Sequence, residues 1–208
     1  MFTTLRTILS ITLLLVFNTS IQAEGTILIF GDSISAAYGM QREQGWVNLL
    51  SRRLEQNELN YQVVNTSVSG ETTGGGLVRL PKALELHQPD LVVLELGGND
   101  GLRGYPISSI HKNLLEMTRL VQESQAKILL VGMVLPPNYG KRYTRAFENL
   151  FKEIAVEREV RILPFLLEGI ATPEELIQRD GIHPKPEAQS LILDDIWPHI
   201  QALLAEKD

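Results

Sequence analysis

The sequence predicts an α/β protein in which a five-stranded parallel sheet lies between two layers of helices. Short apolar runs alternate along the chain with longer segments of helical periodicity, and this alternation favours a parallel sheet with right-handed crossovers. The chain has 208 residues, which suits a single domain with a substantial core. No internal repeat, low-complexity linker or block of like charge divides it, so we expect no second domain.

The strands are predicted from short runs of apolar and β-branched residues. Residues 26–30 read Thr-Ile-Leu-Ile-Phe and have the length of a buried strand. Residues 90–96 are apolar enough to form a central strand. The remaining strands are predicted at residues 61–68, 127–135 and 160–165.

The helices are predicted from apolar residues at helical spacing. Pro89 marks the boundary after the second helix. Pro198 lacks a backbone N–H, so we expect an interruption of the last helix near it. The helices are predicted at residues 43–56, 73–87, 107–124, 141–157 and 186–206.

The N-terminal segment has the pattern of a secretory signal peptide. Arg6 is the only charged residue before Glu24, residues 8–17 are apolar, and Ala23 supplies the small residue of a cleavage site. We therefore predict a signal peptide at residues 1–23 and a mature domain at residues 24–208, exported to the periplasm or secreted without a stable membrane anchor. The alternative is a buried first helix or an uncleaved anchor, although the apolar run is shorter than the ~20 residues of a membrane span.

Composition excludes several classes of protein. The formal net charge of −6 lacks the basic footprint of a nucleic-acid-binding protein. The chain has no cysteine, so the fold cannot depend on disulfides even after export. No group of residues has metal-ligand spacing, and we expect neither a metal nor another cofactor. A small, neutral or weakly charged substrate is the more compatible partner.

Ser33 is the candidate nucleophile. It follows the first predicted strand within Gly31-Asp32-Ser33, and we expect it at the carboxyl edge of the sheet, at the mouth of a helix. Open α/β sheets bind their ligands at this edge. A serine hydroxyl can act there if a base removes its proton and donors stabilise the oxyanion that forms.

Candidate oxyanion donors follow the second and third strands. Gly70 has no side chain, so its N–H can approach a ligand closely, although a glycine after a strand is more often an ordinary turn. Asn99 lies in Gly98-Asn99-Asp100-Gly101, which can also be simple turn chemistry. Its side-chain amide could complement the backbone N–H groups of Ser33 and Gly70.

Asp180 and His183 are the candidate partners of the nucleophile. On one folded loop, Asp180 could accept a hydrogen bond from the imidazole of His183 and leave the other ring nitrogen to take the Ser33 proton. The alternative is an aspartate that caps the approach to the last helix beside an uninvolved histidine. The other histidines lack a neighbouring carboxylate in a turn at this edge; they are His87, His111 and His199.

These four stretches together resemble the motifs of the SGNH (GDSL) hydrolase family, in the family's order and over nearly the whole mature chain. The resemblance implies a flavodoxin-like α/β/α sandwich and a serine esterase without cofactor. It implies Ser33 as nucleophile, His183 as general base and acid, and Asp180 as the residue that orients it. It also implies an oxyanion hole formed by the Ser33 N–H, the Gly70 N–H and the Asn99 side chain.

Within the family, the chain is most similar to periplasmic acyl-CoA thioesterases that also act as proteases and lysophospholipases, and to arylesterases. This resemblance favours fatty acyl thioesters, aryl esters and lysophospholipids as substrates. Two loops mix apolar or aromatic residues with glycine, as an acyl-chain groove would, although they could simply shield the sheet edge. Their candidate substrate-binding residues are Leu102, Tyr105, Pro137 and Tyr139.

Two other functions remain open from the sequence. Carbohydrate deacetylation is the same chemistry on a shorter acyl group. A non-catalytic flavodoxin-like module would bind a nucleotide at the sheet edge, but it would need phosphate-binding glycines directly after the first strand, where Asp32 and Ser33 stand. The glycines at 74–76 lack the Lys-Ser/Thr ending of a phosphate loop.

Overall fold

A computed structural model describes residues 25–171 and 175–206. Its centre is a five-stranded parallel sheet with strand order β2-β1-β3-β4-β5, and the predicted fold class is confirmed. The predicted signal peptide lies outside the described residues. The strands are β1 (Gly25–Gly31), β2 (Tyr61–Asn65), β3 (Leu91–Glu95), β4 (Lys127–Val131) and β5 (Arg161–Leu163).

Helices cover both faces of the sheet because side chains along each central strand alternate between two separate cores. The helices are α1 (Trp46–Gln56), α2 (Thr73–His87), α3 (Gly98–Leu102), α4 (Ile107–Glu123), α5 (Lys141–Arg158) and α6 (Gln189–Ala205). Leu28 and Phe30 of β1 pack in the core under α2, α4 and α5. Ile27 and Ile29 pack in the core under α1 and α6.

The strand order places β1 between β2 and β3, which is the point where the winding of the sheet changes direction. Crossovers leave this point on opposite faces and open a crevice at the carboxyl ends of the strands. The segments that follow β1, β2 and β3 therefore meet at one edge. Each carries one of the predicted site residues, namely Ser33, Gly70 and Asn99.

The last helix differs from its prediction at Pro198. Helix α6 continues through this residue from Gln189 to Ala205. Proline removes one hydrogen bond of the helix, but Ile196 and Ile200 on either side are fully buried against the sheet. Packing of this apolar face therefore holds the helix together where the backbone pattern alone predicts a break.

Several other boundaries also depart from the sequence predictions. Strands β2 and β4 end at Asn65 and Val131, before their predicted ends at residues 68 and 135. The first helix begins at Trp46, after a separate 3-10 turn at Arg42–Gln44. Helix α3 was not predicted, because its sequence Gly-Asn-Asp-Gly-Leu is typical of a turn.

No helix in the described part of the chain combines the length and the apolar character that crossing a bilayer requires.

Gly132 permits the close approach of β4 to the chain that leaves β5. Its N–H donates to the Leu163 carbonyl at 2.7 Å, and a Cβ at this position would overlap the backbone carbonyl of Pro164. We expect Gly132→Ala to lower the free energy of unfolding by about 1–3 kcal/mol, the usual cost of overpacking, in a denaturant titration.

Gly74→Ala is the matched control, because a Cβ at this helical position meets only ordinary contacts. It should leave the free energy of unfolding unchanged or raise it by up to about 1 kcal/mol. Equal stability of the two variants would contradict the packing described for Gly132.

Candidate active site

Ser33 lies in a tight turn directly after β1. The Ala36 N–H donates to the Asp32 carbonyl at 3.0 Å, and the Tyr38 N–H donates to the Ser33 carbonyl at 3.1 Å. Ala37 has a φ of 58°, in the left-handed region, which ends this single helical turn. Ser33 is therefore at the predicted edge of the sheet, but it lies in an isolated turn and not at the mouth of α1.

The structure brings Ser33, His183 and Asp180 into one hydrogen-bonded line. His183 Nε2 lies 2.8 Å from Ser33 Oγ, although the two residues are 150 positions apart in the chain. His183 Nδ1 lies 2.6 Å from Asp180 Oδ2. Because a carboxylate accepts, the Nδ1–H donates to Asp180, which leaves Nε2 to accept from the Ser33 hydroxyl.

Asp180 also folds the loop that carries His183. Its Oδ1 accepts from the N–H groups of Ile182 at 2.9 Å and His183 at 3.0 Å, and Gly181 between them has a φ of 73°. Partial burial acts to raise the pKa of Asp180, but the hydrogen bonds from His183 and Ile182 outweigh it and lower the pKa below the usual value. Asp180 therefore stays ionised beside the imidazole.

Two residues that the sequence analysis missed hold this loop against the Ser33 turn. Gln178 donates from Nε2 to the Tyr38 carbonyl at 2.9 Å and to the Pro184 carbonyl at 3.0 Å. The Tyr38 ring lies 4.4 Å from the His183 ring, measured between centroids. Neither residue has a local sequence signal, because both act through partners far away in the chain.

The predicted donors lie beside Ser33 on neighbouring segments. Asn99 is in the first turn of α3, and its Nδ2 donates to Asp32 Oδ2 at 3.0 Å. An amide nitrogen carries two protons, so one remains available to a ligand. Gly70 has a φ of 80°, which favours glycine, and its carbonyl accepts from Arg103 at 3.2 Å.

Asp100 anchors α3 to the start of α2. Its carboxylate accepts from the N–H of Thr73 at 2.8 Å and from the Thr73 hydroxyl at 2.6 Å. Asp100 and Thr73 are both buried. This pair explains why a turn-like sequence becomes a fixed helical turn, and it holds Asn99 at the sheet edge.

A second buried carboxyl, Glu95, lies next to Asp32. Its Oε2 accepts from the Asp32 N–H at 3.2 Å and from the Ser35 hydroxyl at 2.7 Å. Burial, followed by the charge of Asp32, raises the pKa of Glu95 well above its usual range. Burial likewise raises the pKa of Asp32 to about 6. Glu95 lies within the strand predicted at residues 90–96 and was not predicted as a site residue. Its signal in the sequence is an acidic side chain in an otherwise apolar run.

Comparison with known proteins identifies the family. Residues 29–191 match the model of the GDSL-like lipase/acylhydrolase family. The chain belongs to this family. The match includes the end of β1, the other four strands and every residue of the site described above, so the predicted family is confirmed.

Named relatives of this acylhydrolase cover nearly its whole length. The esterase TesA of Pseudomonas aeruginosa is 46% identical over 197 residues, which are 95% of this chain and 98% of TesA. The arylesterase of Vibrio mimicus is 43% identical, over 90% of this chain and 94% of the relative. The thioesterase 1/protease 1/lysophospholipase L1 of Escherichia coli K12 is 41% identical, over 88% and 86%.

Solved structures agree with the fold. A crystal structure of TesA superimposes with a TM-score of 0.84 at 47% identity, over 86% of this chain and 99% of that one. The psychrotrophic esterase EstA from Pseudoalteromonas sp. gives a TM-score of 0.84 at 40% identity, over 88% and 100%. The sequence prediction of a hydrolase that acts on esters is confirmed by these matches.

The two loops predicted to bind substrate in this acylhydrolase are joined by tyrosine hydroxyls. Tyr139 donates to the Leu102 carbonyl at 2.9 Å, and Tyr143 donates to the Tyr105 carbonyl at 2.6 Å. Pro137 begins the 3-10 turn that carries Tyr139. An open cleft is lined by Tyr139 and Tyr143, and neither Ser33 nor His183 lines it. The loops are therefore neighbours, but this cleft is not the immediate surroundings of the serine.

The remaining histidines lie on helices. His87 ends α2, His111 lies on α4 and His199 on α6. Within residues 25–171 and 175–206, no three His, Cys, Asp or Glu side chains cluster closely enough to hold a metal ion.

The Asp180–His183 hydrogen bond generates a prediction for ester turnover. In Asp180→Asn the carbonyl can still accept from the loop N–H groups, but the amide nitrogen faces Nδ1 and removes its acceptor. The imidazole then favours the tautomer that cannot take the Ser33 proton. We expect kcat for p-nitrophenyl acetate to fall by about 10³- to 10⁴-fold.

Asp194→Asn is the matched control, since Asp194 is an exposed carboxylate paired with Arg53. Its kcat should stay at the wild-type value. Undiminished turnover in Asp180→Asn would contradict the orienting role of Asp180.

Proposed function

We propose that this acylhydrolase cleaves carboxylic esters and thioesters through an acyl intermediate on Ser33. The observation that supports this most directly is the 2.8 Å contact between His183 Nε2 and Ser33 Oγ. A serine hydroxyl becomes an effective nucleophile only when an adjacent base can take its proton. Ser33 is also nearly buried, with 9% of its surface exposed, so water competes little for its hydroxyl.

In the first step His183 takes the Ser33 proton while Oγ attacks the substrate carbonyl carbon. The tetrahedral intermediate collapses, the bond to the alcohol or thiol breaks, and His183 returns the proton to the leaving group. In the second step His183 takes a proton from water, whose oxygen attacks the acyl carbon. The bond from this carbon to Ser33 Oγ breaks, His183 returns the proton to Oγ, and the acid is released. Asp180 remains ionised and stabilises the imidazolium in both steps.

The oxyanion of each intermediate is proposed to accept from three donors, the Ser33 N–H, the Gly70 N–H and the Asn99 side chain. Among the described residues, neither of these two backbone N–H groups has a hydrogen-bond acceptor in the protein. Both are therefore free to bind developing charge, and donors in such a site are typically worth ~10²- to 10³-fold in turnover.

The proposed substrates are small molecules: fatty acyl thioesters, aryl esters and lysophospholipids. The relatives named as an arylesterase and as a thioesterase and lysophospholipase support these classes. We propose that the acyl chain lies along Leu102, Tyr105, Pro137 and Tyr139. The hydrogen bond from the Tyr139 hydroxyl to the Leu102 carbonyl would hold the two loops together as one wall of the acyl-chain groove.

A series of p-nitrophenyl esters of graded chain length, with an acyl-CoA measured in parallel, tests both catalysis and groove length. We expect turnover of esters and thioesters by the wild-type protein and its loss in Ser33→Ala. We also expect a fluorophosphonate probe to label the wild-type protein and not Ser33→Ala. Labelling of Ser33→Ala would contradict the nucleophile, and a wild-type protein without turnover of any of these substrates would contradict the function.

We propose that the protein is exported after cleavage behind Ala23. This rests on the single charge at Arg6, the apolar residues 8–17 and the small residue at the cleavage site. Mass spectrometry of the exported protein should give a mature chain that begins at Glu24. A mature chain that begins earlier and keeps the apolar run would contradict cleavage at this site.

A further inference from the structure

We propose that Glu95 is a positioning residue, a neutral carboxylic acid that holds Asp32 so that Asp32 aims the Asn99 amide at the reacting carbonyl. This inference rests on the proposed function, because Asn99 matters to the reaction only as an oxyanion donor. Glu95 itself touches no substrate atom. It acts through two other side chains, Asp32 and Asn99.

The surroundings of Glu95 favour the neutral acid. The residue is fully buried at the end of β3, with 0% of its surface exposed. One oxygen, Oε2, accepts from the Asp32 N–H and from the Ser35 hydroxyl. The other, Oε1, is buried and has no donor among the described residues. An ionised carboxylate with one unsatisfied oxygen would be costly in this place.

A proton on Glu95 removes the cost of burying an ionised carboxylate with one unsatisfied oxygen. The protonated acid becomes a donor, and the carboxylate next to it in the structure belongs to Asp32, whose own N–H already donates to Glu95 Oε2. Two adjacent carboxyls in a low dielectric cannot both ionise readily, so one of them keeps a proton. The more strongly shifted group is Glu95, because burial and the charge of Asp32 both raise its pKa. For Asp32, burial raises the pKa, and hydrogen bonding to Ile34, Glu95 and Asn99 offsets part of that rise.

Asp32, held in place by Glu95, in turn orients the Asn99 side chain. Its Oδ1 accepts from the Ile34 N–H at 3.1 Å, and its Oδ2 accepts from Asn99 Nδ2 at 3.0 Å. With the Asp32 carboxylate fixed by Glu95, one proton of the Asn99 amide is occupied and the other has a defined direction. The titratable groups that interact with Asp32 are Glu95 and, through space, His183.

The chain offers a matched pair of substitutions at Glu95. Glutamine has the same shape as the protonated acid: its carbonyl can accept from the Asp32 N–H and the Ser35 hydroxyl, and its amide can donate to Asp32. Methionine keeps the volume and removes every hydrogen bond. We expect Glu95→Gln to retain kcat near the wild-type value.

Glu95→Met should lower kcat by about 10- to 100-fold with little change in KM, because a small misplacement of a catalytic group costs up to ~10²-fold. Asn99→Ala alone should cost ~10²- to 10³-fold. If Glu95 acts through Asn99, adding Glu95→Met to Asn99→Ala should cost little more, because residues that act as a unit are not additive. A merely structural role would give losses that add.

A second readout is independent of activity. A carboxyl in the unfolded chain loses its proton near pH 4.3, so above that pH the wild-type protein must bind a proton at Glu95 when it folds. Glutamine needs none. The stability of Glu95→Gln relative to the wild type should therefore rise as the pH is raised above about 4.5, as measured by denaturant unfolding. An ionised Glu95 would give a difference that does not rise.

The outcomes separate this inference from the proposed function. If the wild-type protein does not hydrolyse esters, the proposed function is wrong. The comparison of unfolding stabilities still decides whether Glu95 is protonated. If the wild type is active, equal losses of kcat in Glu95→Gln and Glu95→Met overturn the inference. An unchanged kcat in Glu95→Met also overturns it. So does a double variant in which the losses of kcat from Glu95→Met and Asn99→Ala add. If Glu95→Met does not fold, Asp32→Ala replaces it in the same cycle with Asn99→Ala, and additive losses there overturn the inference.

Discussion

The hydrogen bond between Ser33 and His183 is the interaction on which the rest of the site depends. Its two atoms lie 2.8 Å apart although the residues are separated by 150 positions. Contacts between residues close in sequence cannot bring them together. The sheet places Ser33 after β1, and the loop before α6 must pack against the same edge of the sheet to bring His183 there. Gln178 and Tyr38 connect that loop to the serine turn, and Asp180 fixes the imidazole from behind.

The pairing of β1 with β3 explains why two buried acids meet here. The carboxyl ends of β1 and β3 are neighbours, in register from Ile27 and Leu91 to Gly31 and Glu95. The last pair brings the Glu95 carboxyl against the Asp32 backbone. Burying two acids side by side opposes folding, and such arrangements persist where they orient functional groups. Here Asp32 directly precedes the serine in the chain and accepts from the asparagine amide.

Much of the site was predictable because its residues stand where apolar runs end. Ser33, Gly70 and Asn99 each follow a strand, and the geometry of a parallel sheet then requires them to share an edge. Asp180 and His183 are close enough in sequence for one loop to join them. By contrast, Glu95, Gln178 and Tyr38 were missed, because their partners are distant in the chain. Helix α3 depends on the buried Asp100–Thr73 pair, and α6 passes Pro198 because its apolar face is buried.

The most direct test is a crystal structure of the protein with an alkylphosphonate bound covalently to Ser33. The phosphonyl oxygen mimics the oxyanion, and the account predicts that it lies within hydrogen-bonding distance of the Ser33 N–H, the Gly70 N–H and the Asn99 amide. His183 Nε2 should stay beside Oγ, with Asp180 behind it. An adduct whose phosphonyl oxygen points away from all three donors, or whose imidazole has left the serine, would contradict it.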